Sequence, residues 1–231
     1  FLRDGAWGII RVLDGQVASL KTLPGTSPPP GGSVPTVTGV TVPSAPVVNP
    51  CPAAAPTHDV AISAVDLPLL GPLTPSNVTA AFVPTVDANA VISGAKVPEP
   101  LALHVVAGEC VHVQFANRRA VRASFHADGL DRDVSSSGVN VGYNPENTVA
   151  PGGTRDYYLF ADDPHTKSGS IADFGTVDSA KTGLYGIITV AKPGSRFSNP
   201  STGAATDVGA QVIVHEPGGH TGQAAQLGVR P

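Results

Sequence analysis

Short runs of alternating apolar and small or polar residues, separated by turn residues, predict β-strands along most of the chain. Two runs flank the tripeptide Ala107-Gly108-Glu109, a tight turn that would either bend the chain or pair the two strands. Pro151 and Gly152 suit the central positions of a type II turn. The predicted strands are 60–65, 101–106, 111–115, 121–125, 154–160, 184–190 and a weaker 211–214. Because no 3.6-residue period lies between them, the pattern predicts an antiparallel sandwich or barrel.

Composition supports a chain with one β-rich core and long loops. Glycine (26) and proline (23) make up about a fifth of the 231 residues, and charged residues only 14%. No Gly-X-Y period, heptad repeat or apolar run of membrane-spanning length occurs, which argues against collagen, a coiled coil and a membrane helix. An apolar content of 41% argues against full disorder. The net charge of -4, without blocks of like charge, argues against nucleic acid and anionic membrane surfaces as partners.

A long uncharged segment precedes the predicted strands. No charged side chain occurs from Thr22 to His58, and ten prolines lie within 24–56. Polyproline geometry predicts that 24–56 is an extended linker between domains. The alternative is an ordered meander laid over a neighbouring domain.

An eight-residue pattern, Gly-x-aromatic-Gly-Ile-Ile-x-Val, occurs at both 5–12 and 183–190. This internal repeat indicates that one type of module occurs twice, the first copy being represented only by its closing strand. We therefore divide the chain into the end of a preceding domain, a linker, a main domain and a Gly-rich C-terminal segment, at 1–23, 24–56, 57–193 and 194–231. With no methionine in the sequence, the pattern leads us to expect a fragment of a longer protein.

Two cysteines, Cys51 and Cys110, are too few for a disulfide scaffold or a cysteine-based zinc site. They could form one disulfide, remain as two buried thiols, or supply one metal thiolate. The sequence 77–79 (Asn-Val-Thr) is a weak indication of an extracytoplasmic protein. We therefore favour the disulfide, which implies an extracellular or periplasmic location.

Several segments, in order along the chain, resemble a cupredoxin domain of multicopper oxidases. The segment 108–117 resembles a core strand of that domain, and 124–130 lies where the family has a His-x-His-Gly-Leu motif. The segments 144–157 and 183–190 resemble the following strand entry and the closing strand. The resemblance implies an all-β, cupredoxin-like Greek-key sandwich or barrel, with a long Pro/Gly-rich linker and an extra N-terminal strand from a preceding cupredoxin-like domain.

The resembled family oxidises substrates and reduces dioxygen with copper. One Cys and two His hold a mononuclear copper, and eight His in His-x-His pairs hold a trinuclear cluster, since alternate strand residues point the same way. This chain contains no His-x-His pair, and Asp128 occupies the position of a second histidine. The loop 161–182, where the copper thiolate would lie, contains His165 but no cysteine. We therefore expect copper in the parent protein, but not in this domain.

Other side chains are weaker candidates for metal binding. His126 is either a satisfied core or turn residue, or a ligand whose remaining partners come from a neighbouring domain. His104 and His112 are either surface or edge residues, or part of a weak copper or zinc site facing each other or Cys110. Five loop acids could form an oxygen-ligand site for calcium or manganese, or could simply be solvated carboxylates: Asp128, Asp131, Asp133, Asp162 and Asp163. A loose cluster in the tail, which could bind adventitious metal, consists of His215, Glu216 and His220. No Gly-x-Ser-x-Gly motif indicates a hydrolase.

The sequence therefore favours part of a secreted multicopper oxidase, in which this domain has a structural role and packs against neighbouring cupredoxin domains or subunits. The parent would be an oxidoreductase with O₂ as acceptor, and this chain alone would not be catalytic. The alternative is a stand-alone extracellular β-sandwich for binding or adhesion. A third interpretation, a small copper-binding cupredoxin, requires a cysteine that the ligand loop lacks.

Overall fold

A computed structural model describes residues 46–68, 78–140, 145–162, 167–176, 179–219 and 221–224. The predicted strand at 5–12 and most of the predicted linker lie outside these residues. The same holds for Asn77, Asp163, His165 and His220. The division of the chain into four segments therefore stays a prediction.

Within the described residues there are twelve strands and one short helix, α1 (Ala88–Ile92). The strands are β1 (Thr57–Asp66), β2 (Ala80–Pro84), β3 (Leu101–Val106), β4 (Cys110–Asn117), β5 (His126–Ala127), β6 (Asp131–Arg132), β7 (Thr154–Phe160), β8 (Lys167–Ala172), β9 (Tyr185–Ala191), β10 (Arg196–Ser198), β11 (Val212–His215) and β12 (Thr221–Ala224). Three 3₁₀ turns occupy Thr85–Asp87, Val134–Ser136 and Ser179–Lys181.

The strands form a five-stranded sheet in the order β2-β1-β4-β7-β6 and a four-stranded sheet in the order β3-β9-β8-β5. The fold class predicted from the sequence, an all-β, cupredoxin-like Greek-key sandwich, is confirmed for the described residues. The other strand pairs are antiparallel as expected, but two neighbouring pairs, β1–β4 and β3–β9, are parallel. Parallel neighbours need long connections that cross between the sheets, and a strand pattern alone does not reveal them.

The turn at 107–109 bends the chain from one sheet to the other. β3 belongs to the four-stranded sheet and β4 to the five-stranded sheet, so these two strands are not paired. The predicted strand 121–125 is wrong, since only an isolated bridge between Ala123 and Val149 forms there. Its backbone is bonded to side chains instead, because the Ser124 amide donates to the Asp173 carboxylate and Asn117 Nδ2 donates to the Val121 carbonyl.

The core lies between the two sheets, as strand alternation requires. Alternate residues of β4, including Val111 and Phe115, point inward and pack against residues such as Leu103 and Ile188 of the other sheet. Four rings pack mainly edge to face at its centre, with centroids 5.9–6.4 Å apart: Phe82, Phe115, Phe125 and Tyr157. A smaller apolar cluster under α1 covers one end of the outer face of the five-stranded sheet.

The Gly-rich C-terminal segment contains a third sheet, in the order β10-β11-β12. Between β10 and β11, Val208 forms an antiparallel bridge with Leu103 of β3. The C-terminal segment thus covers part of the edge of the four-stranded sheet. No helix among the described residues is long and apolar enough to span a membrane.

Candidate functional site

His126 begins β5 and lies against the core, with 10% of its side chain exposed. Its Nδ1 atom lies 2.6 Å from the carbonyl oxygen of Ser137, and its Nε2 atom 3.0 Å from Oδ1 of Asp128. The ring of Phe174 contacts it edge to face at 5.1 Å. Both ring nitrogens therefore face protein acceptors rather than a space that a metal would fill.

Asp128 connects β5 to β8. Its Oδ1 faces His126, and its Oδ2 accepts a hydrogen bond from the Ser170 hydroxyl. The hydrogen bond from Ser170 lowers the pKa of Asp128, and His126 lowers it further. Gly169 allows this approach, since a Cβ there would lie 2.0 Å from the Asp128 carbonyl oxygen.

His104 and His112 do not face each other, nor do they form a site with Cys110. His104 is fully buried, so it is not a surface residue, although it does lie in β3, the edge strand of the four-stranded sheet. Its Nε2 donates to the carbonyl of Gly209 at 2.8 Å, and its Nδ1 lies 2.7 Å from the Thr189 hydroxyl, which can donate or accept. Burial lowers the pKa of His104.

His112 lies on the outer face of the five-stranded sheet. Its Nδ1 is 2.7 Å from Asp59 Oδ1 in β1, and its Nε2 is 3.1 Å from Asp156 Oδ1 in β7. The ring of Tyr158 stacks on it with a centroid distance of 4.5 Å. These contacts follow from the pairing of β4 with β1 and β7, which places alternate residues of three strands side by side.

His58, which sequence reasoning did not select, lies between two carboxylates. Its Nδ1 is 2.9 Å from Glu109 Oε2, and its Nε2 is 2.7 Å from Asp207 Oδ2. The hydrogen bonds with Asp207 and then Glu109 raise the pKa of His58 to about 9. Nothing in the local sequence indicates this cluster, because its members lie in β1, in the turn before β4 and in the C-terminal segment.

The remaining candidates that the structure describes do not converge on one site. Among the loop acids, Asp133 accepts from the amide of Ser135 and so caps a 3₁₀ turn. In the tail, His215 contacts the hydroxyl of Ser198, while Glu216 forms an ion pair with Lys192. Within the part of the chain that the structure describes, no three His, Cys, Asp or Glu side chains form a group that could hold a metal ion. The described residues therefore do not fit either copper site of the resembled family.

The two cysteines form the predicted disulfide. Cys51 is joined to Cys110, with Cα atoms 5.6 Å apart. Neither sulfur is therefore a thiolate ligand or a buried free thiol. Since Cys110 begins β4, the bond fixes the segment before β1 to the five-stranded sheet.

A groove of about 430 Å³ lies between β2, α1, β3 and the C-terminal segment. Its walls are mostly apolar residues, among which valine and proline are the most frequent, and Val86 and Val97 are largely exposed. Its charged lining residues include Lys96 and Asp87, which form an ion pair of 2.8 Å. The groove is therefore apolar, and it contains no arrangement of nucleophile and base.

The similarity of this chain to known proteins is limited to solved structures. No protein-family model matches the chain, and no curated protein matches it. A multi-copper oxidase from Pseudomonas thermotolerans is 20% identical over 60% of this chain and 30% of that protein, with a TM-score of 0.45. A multicopper oxidase from Campylobacter jejuni, described as a metallo-oxidase, is 12% identical over 65% of this chain and 29% of that one, with a TM-score of 0.44. A laccase from Pediococcus acidilactici is 17% identical over 68% of this chain and 32% of that one, with a TM-score of 0.41. The chain thus spans about a third of the length of these proteins.

Proposed function

We propose that this chain is a structural, cupredoxin-like domain of a secreted multicopper oxidase, and that it holds no copper itself. The observation that carries the proposal is the His126–Asp128 pair. At the position where the resembled family has two histidines, an imidazole and a carboxylate face each other at 3.0 Å. A pair that would bind metal is thereby replaced by one that fastens β5 to β8.

The other described histidines support the same role. His58, His104 and His112 each have both ring nitrogens within hydrogen-bond distance of a protein group. A histidine used in this way must lose one of these partners before it can bind copper. These three histidines therefore hold neighbouring segments of the described chain together.

The disulfide between Cys51 and Cys110 supports a secreted location, because such bonds persist in oxidising compartments. The neighbours of this domain would be copper-bearing cupredoxin domains or subunits, where the oxidation of substrate and the reduction of dioxygen take place.

Copper loading tests the absence of copper from this domain. The purified chain is incubated with excess Cu(II), desalted, and measured for copper per chain and for blue absorption. We expect far less than one retained copper. Asp128→His should increase retention by restoring a His-x-His pair, whereas Asp131→His, at an exposed position of β6, should not. Stoichiometric copper in the unaltered chain would overturn the structural role.

The reading frame around residues 1 and 231 tests the parent protein. We expect His-x-His and His-Cys-His motifs outside this chain. A frame without them would favour the stand-alone extracellular binding module, for which the apolar groove beside Val86 and Val97 is the supporting observation.

A further inference from the structure

Residues 206–209, which we call the covering stretch, pair with the outer edge of β3. The His104 amide donates to the Asp207 carbonyl at 2.8 Å, and the Gly209 amide donates to the Ala102 carbonyl at 3.0 Å. Val208, between them, packs against the main core. An uncovered strand edge is a place where other strands pair, so this contact also protects the four-stranded sheet.

One charged contact fastens the covering stretch to the sandwich. His58 of β1 lies between Asp207 of the covering stretch and Glu109 of the turn after β3, at 2.7 and 2.9 Å. The imidazole is only 14% exposed, and Glu109 Oε2 also accepts from the Val106 amide at 2.8 Å. Glu109 and His58 are thus held by the sandwich, whereas Asp207 belongs to the segment that would move.

A second histidine, His104, contacts the other end of the covering stretch. His104 is neutral in this contact, whereas His58 is charged. His104 donates from Nε2 to the Gly209 carbonyl, and its Nδ1 is within hydrogen-bond distance of the Thr189 hydroxyl on β9. Phe197 of β10 contacts its ring, with centroids 5.5 Å apart. The ring is fully buried, and its Nδ1 faces a hydroxyl rather than a carboxylate, so this position favours the neutral imidazole.

We propose that the covering stretch is a pH-sensitive closure, which stays paired with β3 while His58 is charged and His104 is neutral, and which detaches with the C-terminal sheet when either condition fails. The ionisable groups that face one another here are His58, Glu109, Asp207 and His104. The closure does not depend on whether a parent protein carries copper.

The directions of the pKa shifts define the pH range of the closed form. The pKa of His58 is raised to about 9, so its contribution is complete below about 6.5 and is lost as the pH rises through about 9. His58 lowers the pKa of Asp207, whose contribution is therefore lost only in acid, below its ordinary value. Burial lowers the pKa of His104, so its contribution declines as the pH falls below about 6.5. The closed form is therefore most stable near neutral pH.

Opening would have two structural consequences. It would free the backbone edge of β3 at Ala102 and His104, which could then pair with another strand. It would also remove Thr206, Val208 and Gly209 from one wall of the apolar groove. The same event would thus expose an edge strand and widen a groove beside it.

Hydrogen exchange of two amides tests the closure directly, because the amides of His104 and Gly209 are bonded across it. In Asp207→Asn at pH 7 we expect both to exchange about tenfold faster or more, since a charge-assisted hydrogen bond is lost. Amides of β4 should keep their rates. The matched control is Asp156→Asn, which changes a carboxylate that makes a similar contact with His112 on the outer face of the five-stranded sheet.

Ring titration by NMR provides the second measurement. We expect His58 to titrate near pH 9 in the unaltered chain and at least one pH unit lower in Asp207→Asn. In the unaltered chain, exchange of the His104 amide, corrected for intrinsic rates, should increase relative to β4 between pH 7 and 10. The proposal is overturned if His58 titrates near 6.5, if β4 exchanges faster to the same extent, or if Asp156→Asn has the same effect.

Discussion

The Nε2 atom of His58 lies 2.7 Å from Oδ2 of Asp207, 149 positions later in the chain. His112 makes a similar contact with Asp59, at 2.7 Å, but its partner is 63% exposed, against 40% for Asp207. A more exposed carboxylate is better solvated and more strongly screened, so its ion pair contributes less. We therefore expect the His58 pair to affect stability more than the His112 pair does.

The first prediction concerns alkaline stability. The raised pKa of His58, about 9, means that its contribution is present below about 6.5 and lost as the pH rises through 9. We expect the free energy of unfolding in urea to fall by about 1–2 kcal/mol between pH 6.5 and 9.5, because solvent screening at Asp207 reduces the full effect of the shift. His58→Gln should remove this dependence, and His112→Gln should retain it. An unchanged slope in His58→Gln would contradict the prediction.

The second prediction concerns the disulfide. Cys51 and Cys110 close a loop across 59 positions, so reduction should lower the free energy of unfolding by about 2–4 kcal/mol. Urea denaturation with and without a reductant measures this difference. The double variant Cys51→Ala/Cys110→Ala should resemble the reduced protein and should not respond to reductant. Equal stability of the oxidised and reduced chains would show that the bond adds nothing.

The third prediction concerns Tyr157 at the centre of the core. Its hydroxyl, fully buried, donates to the Asn147 carbonyl at 2.6 Å. Tyr157→Phe should lower the free energy of unfolding by about 1–3 kcal/mol, because the carbonyl loses a buried donor. Tyr185→Phe, at a position that is 48% exposed, should change it by less than about 0.5 kcal/mol. Similar losses in the two variants would contradict the role of this hydrogen bond.

The fourth prediction concerns Asp173, whose side chain is fully buried. Its Oδ1 accepts from the amides of Ser124 and Gly175 at 2.6 and 2.8 Å, and Arg119 Nη1 lies 3.9 Å from its Oδ2. Asp173→Ala should lower the free energy of unfolding by about 3–5 kcal/mol, since it leaves two amide donors without their acceptor and removes one of the two carboxylates beside the buried Arg119.

Two further variants separate the effects of charge and of hydrogen bonding at Asp173. Asp173→Asn keeps an oxygen acceptor and should lose less stability than Asp173→Ala. Asp66→Ala removes the other carboxylate that contacts Arg119. Because the Asp66 side chain is 44% exposed, this variant should also lose less stability than Asp173→Ala. Urea denaturation ranks the three, and a larger loss in Asp66→Ala would contradict this interpretation.

The sequence by itself determined the features that depend on local pattern or on counting. Strand alternation predicted the runs that became β1, β3, β4, β7 and β9, and their ordered resemblance predicted the sandwich. Two cysteines can pair in only one way, and Asp128 in place of a histidine is visible without coordinates. The strand predictions hold because alternation sets which face of a strand is buried, whatever lies across the sheet.

Tertiary structure alone decided which residues meet. The parallel pairings β1–β4 and β3–β9, the burial of His104 and the contact of His58 with Glu109 and Asp207 all join positions far apart in the sequence. The predicted strand 121–125 was lost because buried carboxylate and amide side chains took its backbone hydrogen bonds. Register and crossover connections bring such partners together, and no local pattern contains that information, because the partners lie on other strands.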